Sequence, residues 1–95
     1  MKIHNLKTWP EFYKAAQAGE KRFEVRHDDG RNFARGDMVV LMEYEPHEGV
    51  YTGAASCYMI PRIWQLDGLE YLMRDLSVGH LVAFEIAPVA DCLWP

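Results

Sequence analysis

The stretch Gly19-Glu20-Lys21-Arg22-Phe23-Glu24-Val25-Arg26-His27 decides how this chain is read. From Arg22 onward polar and apolar residues alternate strictly, with the period of two that marks a β-strand. Phe23 and Val25 are expected on one face, and Arg22, Glu24 and Arg26 on the other. Gly19 ahead of the strand suits the end of a helix, and Asp28-Asp29-Gly30 behind it is a turn signal.

Working outward, Lys2–Leu6 reads as a short extended lead. Thr8-Trp9-Pro10-Glu11 has the form of a capping box, with Thr8 as N-cap and Glu11 three residues on. Pro10 falls in the first turn, where its missing N–H costs nothing. Trp9, Phe12, Tyr13 and Ala16 follow the spacing of a buried helix face. Downstream, Gly36-Asp37 turns the chain into a strand over Met38–Tyr44, and Glu45–Gly49 reads as a hairpin loop. A long strand runs from about Val50, bent or broken near Pro61, toward Leu66. Asp67-Gly68 is a turn, and Leu69, Leu72, Met73 and Leu76 mark a second short helix that Gly79 stops. His80–Ala87 is a last apolar strand, and residues 88–95 form a C-terminal tail. The connections after His27 and Tyr44 have hairpin length, which predicts mostly antiparallel pairing. The expected class is α+β: a small, mainly antiparallel, partly closed barrel of about five strands with two short helices, curled so that its edges are hidden.

A chain of 95 residues is expected to form one domain, residues 1–95, because two cores of half that size would not stand without disulfides or metal. Its 49% hydrophobic and 25% charged residues exclude intrinsic disorder. No apolar run approaches the roughly 20 residues of a membrane helix, so no membrane association is expected. The start Met1-Lys2-Ile3-His4-Asn5 carries no apolar segment of signal-peptide type. Cys57 and Cys92 are too few for a disulfide framework and fit free thiols in a reducing cytoplasm. The net charge of −4 is unevenly spread. Residues 1–36 hold eight Lys and Arg against five acids, and residues 37–95 hold two against nine, so a basic surface can coexist with an acidic total.

The form G-x-K-x-x-E-x-R over Gly19–Arg26 resembles the signature of the ASCH family of the PUA-like superfamily. The wider pattern is closer still to a small ASCH-like group of bacterial and phage proteins, the domain of unknown function DUF3850. The residues that carry it are His4-Asn5-Leu6-Lys7, Phe12 with Ala15 or Ala16, Gly19-x-Lys21-x-Phe23-Glu24-x-Arg26, Phe33-x-x-Gly36-Asp37, the Glu43 region and Tyr51-Thr52-Gly53. The resemblance covers residues 3–60 and returns at Gly79-His80-Leu81-Val82. The chain departs from the group at His27–Arg31, which carries an inserted residue, and at Ala54, where a basic residue is usual.

The resemblance implies a PUA-like pseudo-barrel that binds RNA or a nucleotide in a cleft lined by Lys21, Glu24 and Arg26. Arg and Lys suit a phosphate or a base carbonyl, and Glu suits an exocyclic amine. Arg62, the only basic residue of the long strand, is a candidate fourth ligand group. The bland alternative is an exposed salt bridge of Glu24 with Arg26 or Arg22. ASCH relatives that act as amidohydrolases on acylated cytidines carry a threonine nucleophile where this chain has Glu24, which weighs against an enzyme. If it is one, Lys21 and Glu24 are its catalytic candidates, with Glu43 or Glu85 converging on Lys21. A small hydrolase acting on RNA or a modified nucleoside is therefore the alternative function. A protein-binding accessory factor is the third, which an apolar patch at Trp64 or Trp94 would favour. The four histidines show no ligand spacing, so neither a metal nor a cofactor is expected. Tyr44, Tyr51 and Tyr58 could stack bases or simply pack.

Overall fold

The computed structural model describes residues 1–66 and 81–89. Strand β1 spans Ile3–Thr8, helix α1 Pro10–Gln17, β2 Phe23–His27, β3 Met38–Glu45 and β4 Val50–Met59. Three short strands are described beyond these: β5 at Ile63–Gln65, β6 at Leu81–Glu85 and β7 at Ala87–Pro88. In β1 the alternation is clean, with His4, Leu6 and Thr8 buried and their neighbours exposed. In β3, Val39, Val40 and Leu41 are all buried. A continuous apolar run is what a central strand covered on both faces requires.

The strands form two sheets, one ordered β1-β3-β4-β7 and the other β2-β6-β5. β1 runs parallel to β3, from Ile3 beside Met38 to Thr8 beside Glu43. Parallel neighbours need a crossover, and α1 with β2 supplies it. The other pairings are antiparallel. Val39, Leu41 and Tyr58 of the first sheet and Val82 and Phe84 of the second meet in one core with Tyr13 and Ala16 of α1 and Phe33. The α+β class and the antiparallel majority stand. No described helix is long and apolar enough to cross a membrane.

The barrel expectation is corrected: among the described residues the two sheets share no strand and do not close. The connection after Tyr44 is the predicted hairpin, but the one after His27 is not, because β2 pairs with β6 while β3 lies in the other sheet. Pro61 marks the place where the chain leaves the first sheet at Met59 and enters the second at Ile63. The edges are not hidden by curling either. Met38 N–H donates to Lys2 O, so the parallel ladder turns the carbonyls of Asn5 and Lys7 away from β3. Those two carbonyls accept from Arg31 Nη1 and Arg26 Nη2, each at 3.0 Å. Guanidinium groups thus satisfy two carbonyls of the free edge of β1 where a strand would have closed a barrel.

Three local expectations also change. Thr8 belongs to β1, and its hydroxyl donates to Leu6 O; Trp9 is the N-cap and makes no side-chain capping bond. Of the expected buried helix face, only Tyr13 and Ala16 are buried, while Trp9 and Phe12 are about half exposed. Cys57 is buried as expected but disulfide-bonded rather than a free thiol, which removes that argument for a reducing compartment. Cys92, Trp94 and the second helix over 69–76 lie outside the described residues, as does most of the tail.

Gly36 ties the sheet ends together. Its N–H donates to Ile60 O, and Ile60 N–H donates to the carbonyl of Asp37. Its φ of 89° lies where L side chains rarely go, yet an added Cβ would meet nothing within 4 Å. Gly36→Ala is therefore expected to lose about 1–2 kcal/mol through backbone strain alone. Urea denaturation should show a lower midpoint with an unchanged slope.

Candidate functional site

The site is assembled by the way α1 ends. Ala18 caps the helix, and Gly19 follows at φ 77°. The N–H groups of Glu20 and Lys21 then both donate to Ala15 O, at 2.9 and 3.1 Å. This pair of hydrogen bonds folds the chain back over the helix and brings Lys21 Nζ to 5.8 Å from the Phe12 ring centroid. Strand β2 begins two residues later.

The alternation of β2 is as read, but its polarity is the reverse of a surface strand. Glu24 is 5% exposed, whereas Phe23 and Val25 are 56% and 51% exposed. The carboxylate of Glu24 is held at both oxygens: Lys21 Nζ donates to Oε1, and Arg26 Nε donates to Oε2 at 3.1 Å. Arg26 carries the chain of bonds on to Lys7 O. A buried carboxylate is tolerated because two cations compensate it. Both cations keep roughly a quarter of their side-chain surface exposed, so they also face outward.

Outside this trio lies a cleft of about 430 Å3, walled by Lys7, Thr8, Trp9, Phe12, Lys21 and the four consecutive residues Phe23, Glu24, Val25 and Arg26. Consecutive residues can share a wall only at a strand edge. Ile86 N–H donates to Arg22 O, so the ladder to β6 uses the backbone of Arg22, Glu24 and Arg26. The backbone groups of Phe23 and Val25 turn toward the cleft. Trp9, Phe12 and Phe23, each about half exposed, give it an aromatic rim. At the far lip Lys7 Nζ stands 4.1 Å from the Tyr44 ring centroid and 6.0 Å from that of Tyr51.

A second cleft of about 680 Å3 opens on the other side of Lys21 and Phe23, against Tyr58, Glu85 and Pro88. Burial pushes the Tyr58 phenol above its ordinary range, opposed by a hydrogen bond with Ser56 and reinforced by Tyr13 and Glu24. Ser56 Oγ also donates to Tyr13 Oη at 2.8 Å, and Gln17 Nε2 donates to both oxygens at 3.2 Å, which fastens α1 to β4.

Lys21, Glu24 and Arg26 therefore meet at one cleft, while Arg62 lies apart from it. Its side chain is 72% exposed and stands 3.9 Å from Glu85. Glu85 shares the second cleft with Lys21, but Glu43 lines neither and accepts instead from Thr52 Oγ1 at 2.7 Å. Trp64 is 49% exposed, whereas four of the exposed large apolar side chains among the described residues, Trp9, Phe12, Phe23 and Val25, gather at the first cleft. Among the described residues no three His, Cys, Asp or Glu side chains gather as metal ligands would. Sequence reasoning missed Trp9 and Phe12 as cleft walls, because aromatic residues at helical spacing look the same whether they face a core or a cleft.

A family model described as Domain of unknown function (DUF3850) matches residues 3–75, a span that holds every residue of the first cleft. No curated protein matches the chain. Among solved structures, the crystal structure of hypothetical protein PH0355 superposes with a TM-score of 0.61 at 17% identity. The superposition covers 94% of this chain and 100% of that one, a likeness of fold.

Proposed function

The chain belongs to the DUF3850 family, and from that premise we propose that it binds RNA or a nucleotide in the cleft of Lys21, Glu24 and Arg26, as a single domain of the ASCH, PUA-like kind. The observation that carries this reading is the pairing of three half-exposed aromatic side chains with two outward-facing cations around one buried carboxylate. Aromatic faces suit bases, and the cations suit a phosphate. The carboxylate offers remaining lone pairs to an exocyclic amine. An apolar ligand would have no use for a buried carboxylate, and a simple anion would have none for Trp9, Phe12 and Phe23.

The same cleft argues against deacylation. Glu24 stands where the amidohydrolase relatives have threonine, and both its oxygens are engaged by Lys21 and Arg26. A carboxylate with both oxygens already engaged is poorly placed to act as a nucleophile. The overall charge of −4 repels a polyanion outside the cleft, so affinity is modest and falls with salt.

The test is a titration of short single-stranded RNA against wild type and Lys21→Ala at two salt concentrations, with an acylated-cytidine turnover assay beside it. Lys21→Ala is expected to bind about tenfold more weakly and to show a shallower salt dependence. Absent binding to RNA and to free nucleotides would remove this function. Turnover that disappears in Lys21→Ala would replace it with the hydrolase.

A further inference from the structure

The first cleft does not end at its own wall. Lys21 and Phe23 line both it and the second cleft, so Phe23, more than half exposed, stands as a partition between two adjoining spaces. Arg22 lies on the lip of the second cleft, where its Nε donates to Gly19 O at 3.0 Å and holds the guanidinium in place. Glu85, half-buried on the opposite wall, offers an acceptor to a base amine. Both spaces therefore repeat one chemistry: an aromatic side chain, a cation and a carboxylate.

We infer that the ligand is a single strand held by two consecutive nucleotides, one base on each side of Phe23, with the phosphate that joins them at Lys21 and the next phosphate at Arg22. This rests on the nucleotide reading of the first cleft and extends it. A volume of about 430 Å3 is at the small end of ligand pockets and holds one nucleotide, whereas the second cleft adds room for another. Stacking and backbone charge are both indifferent to base identity, so the pair of clefts selects for a strand over a free nucleotide.

The experiment compares adenosine 5′-monophosphate with 5′-phosphorylated diadenylate by calorimetric titration of wild type, Arg22→Ala and Phe23→Leu. Wild type is expected to bind the dinucleotide roughly tenfold or more tightly than the mononucleotide, from one added stacked base and one added phosphate contact. Arg22→Ala, on an exposed side chain, should erase the phosphate's share of that difference and leave the mononucleotide unchanged. Phe23→Leu should weaken both ligands, the dinucleotide more. Equal wild-type affinities, or an Arg22→Ala effect that falls equally on both ligands, would overturn the two-cleft reading while leaving nucleotide binding in place. Binding of neither ligand would remove both.

Discussion

Asp37→Ala is expected to destabilise the protein by about 3–5 kcal/mol, a large share of what a domain of this size has to lose. Asp37 is 4% exposed and serves two separate segments. Its Oδ2 accepts from His4 Nε2 at 2.8 Å and from Ala34 N–H at 3.0 Å, and its Oδ1 accepts from Lys2 N–H at 3.1 Å. The side chain thus fastens the start of β1 and the turn before β3 to one point, beside the Phe33 ring that packs tilted at 44° against His4 with centroids 4.4 Å apart. Alanine would leave the buried His4 Nε2 without its partner and two part-buried N–H groups without an acceptor, which costs more than the bonds themselves contribute. The same bonds set a pH dependence. Burial would raise the Asp37 carboxyl, but the hydrogen bonds from His4, Lys2 and Ala34 outweigh it and hold the group below its ordinary value of 3.8. A depressed carboxyl stabilises the fold fully above its unfolded value and less as pH falls through the folded one. Wild type should therefore lose stability below about pH 4 more steeply than Asp37→Asn, which has no such proton to take up. Parallel pH profiles of the two, from denaturant melts, would show that the carboxylate has no such role.

What the sequence made legible follows from periodicity and turn chemistry. Strict alternation over Arg22–His27 located β2, and the Glu45–Gly49 loop located the β3–β4 hairpin. Two features escaped it. Alternation states that Glu24 opposes Phe23 and Val25, but not which face is inside; the usual assignment buries the apolar pair. Here Glu24 goes inward because Lys21 and Arg26 compensate it, and the apolar pair goes out to line a cleft. The parallel pairing of β1 with β3 was also hidden, because strands joined through a helix and another strand carry no local mark of their partner. The signature residues were found by resemblance, since a lysine, a glutamate and an arginine spaced over six residues have no chemistry until the turn after α1 folds Lys21 back onto Glu24.

That reversal decides whether the trio is a salt bridge kept for stability or a site kept for a ligand, and the two make opposite predictions. Glu24→Leu alone should destabilise the fold by about 2–3 kcal/mol, less than a fully buried pair would lose, because Lys21 and Arg26 can turn their charges to water. Replacing all three polar groups at once removes the unpaired charges as well. The triple variant Lys21→Met, Glu24→Leu, Arg26→Met should therefore recover most of the stability lost in Glu24→Leu, since apolar substitution of a whole buried ionic cluster is commonly neutral or better. Arg26→Met exposes Lys7 O, but that carbonyl sits where water can replace the guanidinium. The recovered protein should bind no RNA at all. A cluster selected for stability would show the reverse, a triple variant less stable than the single one and binding undiminished. Recovery of the melting midpoint with loss of binding would mean that the ions are held in the wall of the cleft at no benefit to the fold, for the sake of what the cleft receives.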